Sequence, residues 1–505
     1  MAALLLFDCN RIQDYVYASP RQLEIRLASR RLEEVTEGIR REAKNRGGIP
    51  IGVAAASGKI WFGPNDGDGG DRAREFELWV LREYRAVGIE CTAVVVDTAG
   101  TFRDAVCRGE QELRAMKDSP DVLRAGVGSP LFVPCESTGT RPAGVVMQIA
   151  TDERRRLSPV AAEHRQRPGA AALLDWEKRL ASELKVKEGG LWSAICADIE
   201  ELGREIGGDG ADRQAAVALV AADVNDAGKA FSLVESMQAY IACSDKLREA
   251  MASALGQAAC GLPSAAKRPL FPLYVGGDDL LAYVPAKRSL HFARDLCTAF
   301  MAATGDMGLT ISAGVAIGKQ KTPFRQLSEM ARGAEAEAKR ARRALRSEGE
   351  RDRCYVAYDV MRGALPSGLA AGEVYPASAG PFTVGPGDGD DPAPPPESLA
   401  ALLAVLEQLR TQGFPSNKVK SWVDLSAVAR ATAATEYYAS AKNLPQKARA
   451  ALAEVVRCLT GLTADDANRA AAGRVVPTRQ RGKRVECPLV DLATLWDVVG
   501  EEVQQ

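Results

Sequence analysis

Leu273-Tyr274-Val275-Gly276-Gly277-Asp278-Asp279-Leu280-Leu281-Ala282-Tyr283-Val284 consists of two apolar runs separated by a glycine pair and two adjacent acids. Short apolar runs bounded by Gly and Asp are a hairpin signal. The glycines permit a tight turn and the close approach of a bulky ligand. Neighbouring carboxylates repel each other and are costly to ionise unless a cation neutralises them. Magnesium binds a few carboxylates together with substrate phosphates, so the stretch predicts a β-hairpin carrying magnesium-dependent phosphoryl chemistry. The plainer alternative is a polar turn, since Gly and Asp are ordinary turn residues.

The flanking sequence supplies an order of elements. Upstream, residues 191–198 read as a strand that ends in an acid, and a long helical region is expected over about residues 213–257. Downstream come a helix at 290–304, a strand at 309–317 and a helix at 323–346. The same order occurs earlier: a strand at 4–8, a helix at 23–44 with Leu27, Leu32, Val35 and Ile39 on one face, and strands at 49–55 and 59–62 about a turn at Ser57-Gly58. A helix at 72–87 and a strand at 90–97 complete it. Both units match the ferredoxin-like split βαβ of palm domains.

The expected class is therefore α+β: two ferredoxin-like palm domains, nucleotide-cyclase-like in outline, followed by an α-helical C-terminal domain. The expected boundaries are 1–140 for the first palm, 141–187 for a connector, 188–383 for the palm with the Gly-Gly-Asp-Asp site, 384–398 for a Pro/Gly/Asp linker and 399–505 for the helical domain. Within the connector a helix is expected over 170–187. The linker expectation rests on Pro394-Pro395-Pro396 and the Gly/Asp run before it, which pack as neither helix nor strand.

In the second palm, Asp198 at a strand end and Asp278 and Asp279 on the hairpin are expected to converge as metal ligands for Mg2+ or Mn2+. Asp278 and Asp279 are the candidate catalytic acids. Ions held there lower the pKa of a ribose hydroxyl and steady the charge on an α-phosphate during in-line displacement of pyrophosphate. Residues 199–208 form a strand-to-helix turn whose amides either face a triphosphate or simply begin a solvated helix. Lys339 stands at helical spacing from Glu335, to reach phosphates or to serve as a surface i,i+4 partner. The first palm has Asp8 on its opening strand but only Ser57-Gly58-Lys59 at its hairpin, so it is expected to hold no metal pair.

Composition narrows the classes. A net charge of −1 gives no global basic excess, so any contact with RNA must be local. The 11 cysteines include no C-x-x-C pair, which indicates reduced thiols rather than a zinc ribbon or disulfide framework. His164 and His291 are the only histidines, too few for a histidine-rich hydrolase site such as an HD-type nuclease. No apolar run approaches the ~18 residues of a membrane span, and residues 1–8 lack a basic n-region, so a cytoplasmic protein without membrane contact is expected.

Phe7-Asp8-Cys9-Asn10-Arg11-Ile12-Gln13-Asp14-Tyr15-Val16-Tyr17-Ala18-Ser19, followed by Leu23-Glu24-Ile25-Arg26-Leu27-Ala28-Ser29-Arg30, resembles the opening palm of the large polymerase-like subunit of type III CRISPR effector complexes. Ala197-Asp198-Ile199 with Leu202-Gly203, Gly276-Gly277-Asp278-Asp279, Ser312-Ala313-Gly314-Val315 and Pro323-Phe324-Arg325-Gln326-Leu327 with Ala338-Lys339 follow that family's second palm in order. The resemblance covers roughly residues 1–365. It implies a synthase that joins ATP into cyclic oligoadenylates as an antiviral second messenger. Carried over by residue, it implies Asp198, Asp278 and Asp279 as metal ligands, Gly276 and Gly277 as the place that admits the nucleotide, and Ser312 and Lys339 as further nucleotide contacts. Guide or target RNA and other effector subunits, or further copies of the chain, are the implied partners.

The chain departs from the family pattern in beginning directly on the palm, so no DNA cleavage is expected. Cys135-Glu136-Ser137-Thr138-Gly139-Thr140-Arg141-Pro142-Ala143 looks like a remnant of the family's zinc module without its partner cysteines. Two other functions remain open. One is an RNA-binding scaffold subunit of a CRISPR-type ribonucleoprotein, for which Lys418, Lys420, Lys442, Lys447, Arg449, Arg479, Arg481, Lys483 and Arg484 supply local charge. The other is a diguanylate-cyclase-like signalling enzyme, although the usual Glu-Phe after the turn is replaced by Asp279-Leu280.

Overall fold

The computed structural model describes residues 2–10, 12–19, 21–54, 56–64, 69–98, 100–118, 133–137, 142–150, 153–159, 161–162, 173–187, 190–207, 215–263, 266–344, 352–361, 380–385, 395, 397–422, 437–438, 441–442, 444–472, 478–481 and 484–498. Strand β1 (Ala3–Cys9) is flanked by β3 (Ser57–Phe62) and β4 (Cys91–Asp97), with β2 (Gly48–Ala54) at the edge, in the antiparallel order β2-β3-β1-β4. This is the ferredoxin-like order expected of a palm. Helix Gln22–Asn45 buries Ile25, Ala28, Leu32, Thr36, Ile39 and Ala43, a spacing of three and four residues that keeps one stripe on the core. The helix stops where Gly47 takes φ 71°, a conformation open to glycine.

The hairpin turn of this palm lies earlier than Ser57-Gly58. Ser57 already pairs with Ala54 and Asp8, and Gly58 with Val53 and Phe7, so both belong to β3. Ala56, at φ 61°, turns the chain instead.

The second sheet has six strands, in the order β12 (Phe382–Val384), β11 (Cys354–Val360), β10 (Ile311–Lys319), β7 (Ala216–Val224), β9 (Asp279–Pro285) and β8 (Phe271–Val275). Its palm core is β7, β8, β9 and β10, again in ferredoxin-like order. β11 adds on parallel to β10, and β12 pairs antiparallel with β11. Val384 thus ends a strand rather than opening a linker, and Ser398 caps the next helix by accepting from Ala401 N at 3.0 Å. Residues 386–394 and 396 of the expected linker lie outside the described residues.

Two expectations for this palm are corrected. Residues 191–198 are not a strand: Leu191–Ala194 is a short helix, Ile195 makes a single bridge to Arg268, and Asp198 precedes helix Ile199–Gly207. The opening strand is β7, inside the region expected to be helical, where helices Ala227–Ser232 and Met237–Cys260 follow it. The reason is burial on both faces. Ala218, Val220 and Ala222 face helices Met237–Cys260 and Ser289–Thr304, while Val217, Leu219 and Ala221 face a core shared with helix Phe324–Arg343 and the first palm. A strand covered on both sides loses its alternation, and its alanines favour helix by propensity alone.

The palms are joined directly. Arg26 of helix Gln22–Asn45 stacks 3.8 Å over the Trp192 ring and donates to Ala197 O at 3.2 Å. The connector helix, Asp175–Glu183, is shorter than expected. Strands β5 (Val145–Ala150) and β6 (Glu153–Leu157) pair antiparallel. Beyond β12, helices Leu399–Thr411, Gln446–Thr460 and Pro488–Leu495 extend the core beneath Ser289–Thr304. A short antiparallel strand pair, β13 (Arg479–Arg481) with β14 (Arg484–Glu486), interrupts this helical region. Among the described residues no helix is long and apolar enough to cross a membrane.

Candidate active site

β7 is antiparallel to both β9 and β10, which places Asp223 directly opposite Asp279 on one side and Ser312 on the other. Opposed residues share a sheet face, so the two carboxylates project together. Asp278 precedes β9 at the turn, where its carbonyl accepts from Val224 N at 3.0 Å. The three acids brought together by strand pairing are therefore Asp223, Asp278 and Asp279.

Asp198 stands elsewhere. Its Oδ1 accepts from Glu201 N at 2.8 Å, capping the helix Ile199–Gly207. The strand-end acid of the sequence reading is replaced by Asp223.

The helix Phe324–Arg343 covers the face that carries Asp223 and Asp279. It approaches β10 at Gly314, where a Cβ would lie 2.0 Å from Ala331 O and 2.3 Å from Glu335 N. Only glycine permits that approach. Seated this closely, the helix aims Lys339 at the acids: its Nζ lies 2.5 Å from Asp223 Oδ2 and 2.8 Å from Glu335 Oε1. Burial lowers the lysine pKa, but hydrogen bonds to Asp223 and Glu335 outweigh it and the net shift is upward. Lys339 is thus a permanent cation at the site.

Ser312 does not reach open space. It is fully buried and donates to Asn225 Oδ1 at 2.8 Å, while Asn225 Nδ2 donates to Thr310 Oγ1 at 3.0 Å. The serine fixes the end of β7 instead of offering a hydroxyl to a ligand. Gly276 makes room within its own hairpin, since a Cβ there would lie 2.5 Å from the Tyr274 hydroxyl. Gly277 faces the first palm, with Ala54 Cβ 3.5 Å from its would-be Cβ. The turns of the two hairpins therefore abut.

Asp278 and Asp279 have no ion-pair partner among the described residues. Burial, reinforced by the charge of Asp223, pushes the Asp279 carboxyl up to about 7. Asp278 is raised for the same two reasons. Its side chain is nonetheless open to solvent, as for a group on the floor of a recess, so solvent screening tempers its shift. Two acids in want of a counter-charge, with a third opposite, suit a hard divalent cation. Among the described residues no three potential ligands are already gathered as a finished cage, and Asp223 is held by Lys339. Asp278 and Asp279 are the residues here that could hold such a cation, with Asp223 opposite them and paired to Lys339.

The first palm repeats this arrangement without the hairpin acids. Asp8 is opposite Ser57 and Thr92, as Asp223 is opposite Asp279 and Ser312. Asn10 donates to Thr92 Oγ1 at 3.0 Å, and Lys117, from the helix after β4, pairs with Asp8. The sequence carried the signal that finds Asp223: Ala3-Leu-Leu-Leu-Phe-Asp-Cys-Asn10 recurs as Ala218-Leu-Val-Ala-Ala-Asp-Val-Asn225, acid and asparagine in step.

Residues 216–348 match the family model described as Cas10/Cmr2, second palm domain. No curated protein matches the chain. Among solved structures it is similar to the Csm1–Csm4 cassette in complex with cA4, at 16% identity and TM-score 0.47, over 72% of this chain and 54% of that one. It is similar also to the cassette with AMPPNP, at 15% identity and TM-score 0.45 over 70% and 54%. A third is the Csm1–Csm4 subcomplex of the type III-A CRISPR-Csm interference complex, at 15% identity and TM-score 0.46 over 67% and 53%. The chain spans about half the length of these solved relatives, 53–54%.

Proposed function

We propose, from the match of residues 216–348 to the second palm domain of Cas10/Cmr2, that the chain is a nucleotidyltransferase that converts ATP into a cyclic oligoadenylate-like messenger with release of pyrophosphate, in antiviral defence. The observation that carries this reading is the register of β7 against β9, which sets Asp223 opposite Asp279 beside Asp278. Asp278, Asp279 and Asp223 would hold Mg2+ or Mn2+. A divalent cation there supplies charge neutralisation at the phosphates and a lower pKa for the attacking ribose hydroxyl.

The chain's own residues supply position and charge. Lys339, paired with Asp223 and Glu335, would turn to a phosphate by exchanging one anionic partner for another. Asn225 and Ser312 hold the end of β7 so that Asp223 stays in register with Asp279. The nearness of Ala54 to Gly277 puts the first palm's turn at the edge of the site, where a second nucleotide is to be aligned for in-line attack.

The test is incubation of the protein with all four nucleoside triphosphates and Mg2+ or Mn2+, with and without candidate RNA activators and partner subunits, with products identified by chromatography and mass spectrometry. Cyclic adenylate products with pyrophosphate are expected. No pyrophosphate under any of these conditions sinks the proposal, and products from another base overturn the choice of ATP.

A further inference from the structure

Helix Phe324–Arg343 carries a second cation toward the acids. Arg332, Glu335 and Lys339 stand at i, i+3 and i+7 and so share one face of the helix. Lys339 is fully engaged by Asp223 and Glu335. Arg332 is not: among the described residues it has no carboxylate partner, and the hydrogen bond it makes runs from Nη2 to the Tyr17 hydroxyl at 2.8 Å. Its Nε is enclosed by protein and makes no hydrogen bond. A guanidinium offers five N–H donors, and one accepted by a neutral phenol leaves a half-buried cation far short of its needs.

The partner of Arg332 comes from the other palm. Tyr17 follows the short helix Ile12–Val16 of the first palm, its ring packs 5.3 Å from Phe324, and the guanidinium lies 5.5 Å from the ring centre. The first palm therefore grips Arg332 by a hydrogen bond and by its ring at once, which restricts where the side chain can point. The pair belongs electrostatically to the acid site. The positive charge of Arg332 counters the burial that raises Asp279, and Tyr17 also feels the charge of Asp279.

We propose that Arg332 binds phosphate oxygens of the nucleoside triphosphate through its terminal nitrogens, and that Tyr17 of the first palm is the positioning residue that aims it. This rests on the nucleotidyltransferase reading above and adds to it a specific anion contact and a reason for two palms. Asp279 and Glu335 act on the guanidinium only through space, and its hydrogen bond goes to a neutral phenol, so anionic oxygens would supply the direct acceptors its unused donors lack. A base or a sugar hydroxyl supplies no such charge, so the contact reads phosphate number rather than base identity.

Equilibrium binding of ATP, ADP and AMP to the full chain in EDTA tests this without turnover. Wild type is expected to bind ATP more tightly than AMP. Arg332→Gln, which removes the charge and leaves a shorter neutral amide with two N–H donors, should weaken ATP about tenfold, a typical charge-assisted contact, and leave AMP unchanged. Arg332→Lys should restore part of the loss. Tyr17→Phe should weaken ATP about threefold in the wild-type background and have no effect beside Arg332→Gln. Equal ATP affinity for wild type and Arg332→Gln overturns this inference alone. Absence of nucleotide binding by the wild type in EDTA and with Mg2+ alike overturns both it and the nucleotidyltransferase reading.

Discussion

At the scale of single residues, the account turns on which acid faces Asp279. The register assigns Asp223, and Asp198 is a helix cap. Asp198→Ala should cost about 0.5–2 kcal/mol of stability, as loss of a cap does, while the chemistry at Asp279 persists. Stability lost together with all activity would return Asp198 to the site. Asp279 makes a second prediction. Its carboxyl is raised from the ordinary 3.8 to about 7, so between those values the folded protein holds a proton that the unfolded chain has released. Metal-free stability therefore falls as pH rises from about 4 to about 7 and stays reduced above. Asp279→Asn removes the penalty and should be the more stable protein at pH 8 by about 1–2 kcal/mol after solvent screening, with little difference at pH 4. Urea unfolding in EDTA measures it, and an equal gap at both pH values contradicts the assignment.

At the scale of elements, the site depends on how tightly helix Phe324–Arg343 sits on β10. Gly314→Ala places a methyl group against the Ala331 carbonyl and the Glu335 backbone, and the helix must lift. A loss of about 1–3 kcal/mol is expected, with Lys339 and Arg332 displaced together. Unchanged stability in denaturant unfolding would mean the helix lies elsewhere. The hairpin around Gly276-Gly277 was legible because turn residues between apolar runs have few other readings, and the helix over Lys339 because its apolar stripe recurs at three and four. β7 was not, since Ala216–Val224 is covered on both faces and rich in alanine. Residues 191–198 erred in the opposite sense: Leu191, Ile195 and Cys196 are fully buried, and an apolar run of that length reads as a strand whether or not it pairs. β11 and β12 lie past the four-strand palm pattern, which says nothing of them. The signal for β7 is the internal repeat, since Asp8-Cys9-Asn10 and Asp223-Val224-Asn225 occupy the same place in each palm.

At the scale of the whole molecule, two palms share one core, and their turns meet at Ala54 and Gly277. Arg26 is a principal tie, stacked on Trp192 and bonded to Ala197 O. Arg26→Ala should cost about 2–3 kcal/mol and loosen the coupling of the palms. Calorimetry would register this as a broadened or split transition, and an unchanged sharp one would argue that the shared apolar core suffices. The first palm keeps the acid, the asparagine and the lysine of its twin but has Ser57 where the second has Asp279, so the transfer proposed above would rest on a single centre. Pyrophosphate release from ATP, measured side by side for wild type and for Asp223→Asn, Asp279→Asn and Asp198→Asn, tests that centre most directly. The account predicts a loss of more than about 100-fold for the first two variants and near wild-type rates for Asp198→Asn; an active Asp223→Asn beside a silent Asp198→Asn would contradict it.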